Sequence, residues 1–421
     1  MVSQDVLMNL HIKLLTYNVF IRPPGIRNNF NDYKDERLEC MISTDLGAEK
    51  LIKSFTSQSG VPYSLYTVDK DRFPTIPYLS PWRSPRPPKL LSPVSERKLK
   101  EQHQRYAKLD TSILGQYDII CFQELFSAFS YRQRRFLERA TAQGFKYHAT
   151  SPLPSYLKST FLVDGGVAII SKYPIVKQEY LLYQQGVDSD MLAAKGAIYA
   201  KIEIEKNKHY IHLFSTHLQA SYVHPNSTTE STDNVKNDSV RTKQLNQLRE
   251  FMHLMTSNDQ YPIILAGDLN VDSRVSKTSH DSGSDTKEYL EMIDLISNKN
   301  HLDGQVQLFE MLDLLKNDTG LHPPTVGDAT DVNGVLSAKE TALTNKNDYC
   351  CMKSLDYIFL VNRIQPSHLS VDNADSNQKN HNNNNNILVP GTTKVEPFFI
   401  EGFPFSQLSD HYGVSTELKF V

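Results

Sequence analysis

Residues 262–270 read Pro-Ile-Ile-Leu-Ala-Gly-Asp-Leu-Asn, an apolar run followed by a glycine, an aspartate and an asparagine. The run predicts a buried strand that ends by presenting the carboxylate of Asp268 and the carboxamide of Asn270. On an extended chain, residues i and i+2 point the same way, so both side chains can reach one ligand. Taken alone, the pattern is more typical of an ordinary strand-ending turn. Its interpretation therefore depends on partners elsewhere in the chain.

Short apolar or alternating runs predict seven further strands. With the first, they cover residues 12–20, 117–122, 166–170, 197–204, 210–215, 263–267, 355–361 and 412–420. Amphipathic patterns predict helices over 132–143, 240–257 and 289–296, and Gly144 is a natural stop for the first of them. Strands interleaved with helices predict an α/β class.

At 421 residues and 48.0 kDa, the chain exceeds the usual size of a single hydrophobic core. Four stretches are predicted to be surface insertions: residues 61–93, 221–239, 273–287 and 372–386. Residues 221–239 and 273–287 are rich in Ser, Thr, Asn and Asp, and 372–386 ends in an Asn tract that cannot bury apolar area to offset its ordering entropy. The first combines prolines, aromatic and basic residues and the only tryptophan, Trp82. One large domain with insertions and two domains are both compatible with these features.

Charge and cysteine usage restrict the function class and the compartment. The net charge of -3 offers no overall attraction to nucleic acid. The four cysteines show no zinc spacing and suit a reducing compartment. No apolar run is long enough to span a bilayer, and residues 1–13 lack a signal-peptide pattern. We therefore expect a cytoplasmic protein that is soluble or peripherally bound to a membrane.

Polar side chains recur where the other predicted strands begin or end. Six such residues are Asn18, Glu124, His217, Asp356, Asp410 and His411. Each taken singly is explained by structure alone. Together with Asp268 and Asn270 they form the donor set expected for a hard divalent cation and a phosphate. Carboxylate oxygens suit Mg²⁺, whereas zinc would require cysteine or more histidine.

This set, in this order along the chain, resembles the endonuclease/exonuclease/phosphatase superfamily. The segments that carry the resemblance are Asn18, 123–124, 215–217, 267–270, 355–357 and 409–411. The resemblance covers nearly the whole chain and implies one catalytic domain over residues 10–421. It also implies a four-layer α/β/β/α sandwich in which two mixed sheets pack face to face, with the site at one edge.

Within the superfamily, the chain is most similar to neutral sphingomyelinases. The segments that carry this narrower resemblance are 17–20, 117–126, 165–175 and 190–197. The resemblance implies Mg²⁺-dependent hydrolysis of sphingomyelin to ceramide and phosphocholine by in-line attack of an activated water. The implied partner is sphingomyelin or a related phospholipid at a membrane surface, and no nucleic acid is expected.

The metal-site residues implied by the resemblance are Glu124, Asn18 and Asp410. Glu124 is the expected principal Mg²⁺ ligand, because a carboxylate that closes an apolar strand loses hydration unless a cation compensates it. Asn18 would orient a metal-bound or phosphate oxygen. Asp410 would be a second metal ligand or would orient His217.

The resemblance also implies roles in proton transfer and phosphate binding. His411 is the favoured general base, with Asp356 fixing its tautomer, and Asp268 is the competing base. Asn270 and His217 are expected to donate hydrogen bonds to non-bridging phosphate oxygens. In the branch-specific segment, Lys195 is expected to pair with the phosphodiester or with Asp190.

Other functions share these motifs. A DNA nuclease would favour a basic face, and an inositol-polyphosphate 5-phosphatase carries a different element where this chain has residues 353–357. A deadenylase fits the same motifs. A non-catalytic binding protein with this fold would be expected to have lost a catalytic side chain, and none is lost here. Lipid contact is predicted for residues 61–93 and 398–405.

Overall fold

A computed structural model describes residues 10–23, 32–43, 112–155, 159–221, 230–275, 283–298, 308–332, 335–344, 349–364 and 387–421. The predicted insertions 61–93, with Trp82, and 372–386 lie outside these ranges, as do parts of the other two. Among the described residues, no helix combines the length and the apolar character needed to cross a membrane.

Two six-stranded sheets dominate the described part of the chain, and both mix parallel and antiparallel neighbours. In spatial order, the first contains β13 (Leu388–Glu396), β14 (Gly413–Phe420), β1 (His11–Ile21), β2 (Ile119–Leu125), β4 (Ala168–Ser171) and β3 (Tyr147–Thr150). The second contains β5 (Ile175–Leu182), β6 (Gly196–Glu205), β7 (His209–His217), β8 (Ile263–Asp268), β12 (Asp356–Ile364) and β9 (Leu308–Asp313). β1 runs parallel to β2, and β7 parallel to β8. A separate hairpin pairs β10 (Ala329–Val332) with β11 (Val335–Ala338).

Helices cover the outer face of each sheet. The described helices are α1 (Lys34–Ile42), α2 (Arg132–Ala142), α3 (Glu230–Thr256), α4 (Lys287–Ser297) and the short α5 (Leu314–Thr319), and α5 packs with the inner cluster instead. Apolar residues of α1 and α2 pack with the outer face of the first sheet, and those of α3 and α4 pack with the outer face of the second. A third cluster joins the inner faces of the two sheets. The predicted four-layer α/β/β/α sandwich is therefore confirmed.

Both faces of β8 are buried, which explains its continuous apolar run. Ile264 and Ala266 pack between the sheets, whereas Ile263 and Leu265 pack beneath the helices. Burying each such Ile or Leu side chain contributes about 1.5–3 kcal/mol. Because alternate residues of a strand share a face, Asp268 continues the inner face of Ile264 and Ala266. The strand thus carries a carboxylate to the edge of the inter-sheet core.

The structure corrects several sequence-based boundaries. The helix predicted over 240–257 begins at Glu230, so part of the predicted insertion 221–239 is helical. Its early turns are anchored by buried Asn237, whose Oδ1 accepts a hydrogen bond from Gln219. Because this buried residue is polar, the first part of the helix has no apolar periodicity from which it could be predicted. The unpredicted strands β5 and β13 lie at sheet edges and are largely exposed, so they also lack an apolar run.

Candidate active site

Strand parity brings four predicted residues together at one end of the two sheets. Asn18, His217, Asp268 and Asp356 each continue the face of its strand that packs between the sheets. Asp268 lies opposite His217 on one side and opposite Asp356 on the other in the strand register. Asn18 Nδ2 donates a hydrogen bond of 2.9 Å to Asp268 Oδ2 and so links the two sheets. The site is therefore built where two inner faces meet.

Gly267 allows β7 and β8 to approach closely at this point. Its φ is 145°, and a Cβ added there would lie 2.1 Å from the carbonyl oxygen of Thr216. Only glycine fits such a contact without displacing backbone. The close approach leaves His217 Nε2 3.5 Å from Asp268 Oδ2.

His411 and Asp356 form a buried histidine–carboxylate pair. The distance from His411 Nδ1 to Asp356 Oδ2 is 2.9 Å, and Thr325 Oγ1 donates to the same oxygen at 2.7 Å. Nε2 of His411 faces the site, 3.9 Å from Asp268 Oδ2. Burial alone would lower the pKa of His411, but the carboxylates of Asp356 and Asp268 raise it to about 10. Burial and the charge of Asp356 raise the pKa of Asp268 to about 7.

Lys195 is buried and holds three groups at once. Its Nζ lies 2.7 Å from Asp190 Oδ2, 2.7 Å from the carbonyl oxygen of Leu218 and 3.1 Å from His217 Nε2. Burial opposes ionisation of Asp190, but Lys195 lowers its pKa below the usual value. Burial and Lys195 hold the pKa of His217 well below 6.5, so His217 is neutral. The predicted pairing of Lys195 with Asp190 is present.

The negative charge of Glu124 is compensated by Arg22, a residue that was not predicted from the sequence. Arg22 Nε donates to Glu124 Oε2 at 2.5 Å and Nη2 donates to Oε1 at 3.0 Å. Burial would raise the pKa of Glu124, but Arg22 lowers it. Nearby, burial raises the pKa of Asp410, whose Oδ1 accepts a hydrogen bond from Ser409 Oγ at 3.3 Å. A basic residue just beyond β1, four positions after Asn18, was the available sequence signal.

Asn270 lies at the site, but its backbone conformation is not the extended one that was predicted. β8 ends at Asp268, and Asn270 has a left-handed φ of 53°, so the expected extended geometry does not continue to this residue. The backbone N–H of Asn270 donates to Asp268 Oδ1 at 3.0 Å, and its Nδ2 donates to the Leu218 carbonyl oxygen at 3.0 Å. Asn tolerates this conformation and its turn chemistry better than most residues do.

These residues surround a cleft of about 70 Å³. Seven predicted site residues line it: Glu124, Asp190, Lys195, His217, Asp268, Asn270 and His411. Arg22 lines it as well, and Phe126, Val163 and Ala193 form an apolar side. Two cationic side chains, several carboxylates and neutral donors therefore share one small opening.

The donor chemistry of this cleft fits a hard divalent cation. Side-chain atoms of Asp268, Asp356 and His411 lie within 4.8 Å of one another in an arrangement that could hold a metal ion. Asp356 Oδ1 is buried and has no hydrogen-bond partner among the described residues. Glu124 adds a further carboxylate that lines the cleft, whereas Asp410 is not among the lining residues. Oxygen donors of this kind match the preference of Mg²⁺.

Comparison with known proteins agrees with the predicted family. The model of the Endonuclease/Exonuclease/phosphatase family matches residues 104–411. A sphingomyelinase of Dictyostelium discoideum is 50% identical over 460 residues, covering 98% of this chain and 99% of that protein. A sphingomyelinase C of Bacillus cereus is 37% identical over 131 residues, covering 31% of this chain and 36% of that protein. A crystal structure of a beta toxin variant from Staphylococcus aureus with bound magnesium ions gives a TM-score of 0.49 at 18% identity, covering 96% of this chain and 98% of that one. The chain belongs to the endonuclease/exonuclease/phosphatase family and, within it, to the sphingomyelinase branch.

Proposed function

We propose that this protein is a Mg²⁺-dependent phosphodiesterase that hydrolyses sphingomyelin to ceramide and phosphocholine. The observation that carries the proposal is the convergence of Lys195, His411 and several carboxylates on one cleft. A phosphodiester needs positive charge at its oxygens and a group that accepts a proton from water, and this cleft supplies both. The 50% identity to a protein named as a sphingomyelinase supports sphingomyelin as the substrate.

Phosphate binding is assigned to Lys195, His217 and Asn270. The Leu218 carbonyl oxygen accepts hydrogen bonds from both Lys195 and Asn270, at 2.7 and 3.0 Å, so one backbone group fixes two donors. Lys195 in turn contacts His217. Donors fixed before substrate arrives need no reorganisation when charge develops on the non-bridging oxygens.

Proton transfer is assigned to His411 and Asp268 as one unit. Asp356 occupies Nδ1 of His411, which leaves Nε2 directed towards Asp268 Oδ2 at 3.9 Å. The raised pKa of His411 keeps its imidazole protonated at neutral pH, so the Asp268 carboxylate takes the proton that water loses as it attacks phosphorus, while Asp356 stabilises the imidazolium. Both proton acceptors considered in the sequence analysis belong to this unit.

We assign Mg²⁺ to Glu124, Asp410 and Asn18 rather than to the group of Asp268, Asp356 and His411, because His411 and Asp356 already pair with each other. When bound, the ion would polarise the phosphoryl oxygen and stabilise the departing alkoxide. Glu124 is buried and hydrogen-bonded to Arg22, and both features determine how readily its carboxylate can bind Mg²⁺.

The substrate lies in a membrane, so we propose that the apolar side of the cleft faces lipid. Phe126, Ala128, Val163 and Ala193 form a small buried cluster there. Three exposed apolar residues, Phe129, Leu162 and Met191, flank it in the chain and are exposed by 66%, 51% and 46%. Large apolar side chains in water beside a lipid-processing cleft are typical of an interfacial surface. We call these three residues the apolar rim.

In the segment 398–405, also predicted to contact lipid, three of the four phenylalanine rings pack onto the domain. Phe398 lies against Tyr17 with ring centroids 5.0 Å apart, and Phe403 stacks on buried Phe405 at 5.1 Å. Phe399 is the exposed aromatic residue of this segment. The apolar rim is therefore the better candidate for the first contact with a bilayer.

Substrate identity and metal dependence are tested by one comparison. Purified protein should release phosphocholine from sphingomyelin with Mg²⁺, and a chelator should reduce the rate by at least about a hundredfold because metal stabilisation of the transition state is worth several kcal/mol. Added Mg²⁺ should restore the rate. Lysophospholipid, abasic DNA and inositol phosphates serve as the competing substrates. Faster cleavage of any of these, or no Mg²⁺-dependent release of phosphocholine, would contradict the proposal.

Removing the apolar rim should weaken membrane binding. The double variant Phe129→Ser, Met191→Ser should reduce partitioning onto sphingomyelin-containing vesicles by about tenfold, since it removes two apolar side chains from the contact. Co-sedimentation with sucrose-loaded vesicles measures this. Leu254→Ser is the control, because Leu254 is 63% exposed near the C-terminal end of α3. Equal partitioning of the double variant and the control would refute the assignment.

A further inference from the structure

Arg22 occupies both oxygens of the carboxylate expected to bind metal. The two hydrogen bonds to Glu124, 2.5 and 3.0 Å long, form a fork in which each guanidinium nitrogen meets a separate oxygen. The Glu124 side chain is 7% exposed and that of Arg22 is 23% exposed. Forked arginine–carboxylate pairs are among the strongest charge-assisted contacts in proteins. While this fork is closed, one acceptor site on each Glu124 oxygen is taken, and the charge of Arg22 repels a second cation.

The backbone on both sides of the pair is held in an unusual conformation. Phe20 has a φ of 52° and Glu124 a φ of 56°, both left-handed and both costly for residues with bulky side chains. The pairing register between β1 and β2 shifts between Asn18 and Ile21. The guanidinium of Arg22 lies 4.4 Å from the centroid of the Phe20 ring. The strained turn therefore places Arg22 over an aromatic face and against Glu124.

Charge balance explains why a cation is needed at this position. Glu124 is buried and Asp410 is half-buried, and the guanidinium of Arg22 forms the fork with Glu124. A guanidinium does not lose its proton in proteins, so it is a permanent positive charge. Two carboxylates beside one cation are also the arrangement expected of a divalent metal site.

We propose that Arg22 is a built-in counter-ion of the metal site, which holds Glu124 in the metal-free enzyme and must leave it before a divalent cation binds. The inference rests on the proposed Mg²⁺-dependent function. It makes Arg22 a positioning residue: it stabilises the metal-free protein and weakens metal affinity. Arg22 lines the same cleft as Lys195, so the released guanidinium stays within the cleft that the substrate phosphate would enter.

The test compares wild type with Arg22→Met in the full-length chain without lipid. Methionine keeps an unbranched apolar side chain but removes the charge and the fork. Calorimetric titration with Mg²⁺ should show affinity about tenfold higher in the variant, because metal no longer competes with a charged hydrogen-bonded pair. Thermal unfolding should begin at a lower temperature than in wild type in chelator, and near the wild-type temperature in saturating Mg²⁺. Unchanged or weaker Mg²⁺ affinity would overturn the proposal.

Arg132→Met is a matched control. Arg132 forms a similar fork with Asp35 between α2 and α1, with side chains 24% and 18% exposed. Its loss should lower the unfolding temperature equally with and without Mg²⁺ and leave Mg²⁺ affinity unchanged. Arg22→Lys, which keeps the charge without the fork, should give intermediate affinity and decides the matter if Arg22→Met does not fold. If neither wild type nor an Arg22 variant binds Mg²⁺, the proposed metal dependence fails as well.

Discussion

Replacing His411 with alanine should lower kcat on sphingomyelin by about 10²–10⁴-fold, the usual contribution of a general acid–base group. The imidazole is fixed through Nδ1 by Asp356, and its Nε2 faces Asp268 across 3.9 Å of the cleft. No other described side chain is held in this position by a carboxylate. Turnover of mixed micelles at saturating Mg²⁺ and substrate measures kcat directly. Retained turnover in a folded variant would show that the site is misplaced.

The double variant His411→Ala, Asp268→Asn distinguishes a proton-transfer unit from two separate roles. If the residues act together, the double variant should be about as slow as the slower single variant, because groups that act as a unit are strongly non-additive. Losses that multiply would contradict the unit. His212→Ala is the matched control: His212 Nε2 lies 2.5 Å from Asp259 Oδ1, but this pair lies near the start of β7. Its loss should affect stability and leave kcat essentially unchanged.

Much of this site was predictable because local patterns determine strand parity. In β8, two residues that pack between the sheets precede Asp268 at alternate positions, and the same spacing leads to His217 in β7. An apolar run that ends in a polar residue therefore predicts the strand. It also predicts the face of the sheet to which the polar side chain points. The order of these motifs then identified the family, which the comparisons confirm.

The remaining features depend on contacts between distant segments. Arg22 meets Glu124 across 102 positions of the sequence, and Thr325 meets Asp356 across 31. An arginine or a threonine next to a strand is common, and no local sequence pattern predicts which distant residue it contacts. Edge strands such as β13 were not predicted for a different reason. Most of their side chains are exposed or only partly buried, so they need not be apolar. Hydrophobic periodicity arises from burial of one face of an element. It therefore cannot predict elements that bury few side chains.

Replacing Lys195 with methionine should lower the free energy of unfolding by about 3–5 kcal/mol, the usual cost of removing one partner of a buried ion pair. Asp190 would keep a buried negative charge, and its Oδ2 would still accept a hydrogen bond from the Ala220 N–H at 2.8 Å. Urea unfolding at neutral pH measures the change. Lys201→Met is the control, because its pair with Asp259 at 2.7 Å is only partly buried. That variant should lose about 1 kcal/mol or less.

Activity separates the structural role of Lys195 from its role in phosphate binding. In the double variant Asp190→Asn, Lys195→Met, no uncompensated carboxylate remains, so most of the lost stability should return. The positive charge beside His217 and the Leu218 carbonyl oxygen would still be missing. Turnover should therefore stay low even though the fold is restored, with kcat about 10²–10³-fold below wild type if the charge acts on the transition state. Recovery of turnover together with stability would instead show that Lys195 serves only to neutralise Asp190, and phosphate binding would then have to rest on Asn270 and His217.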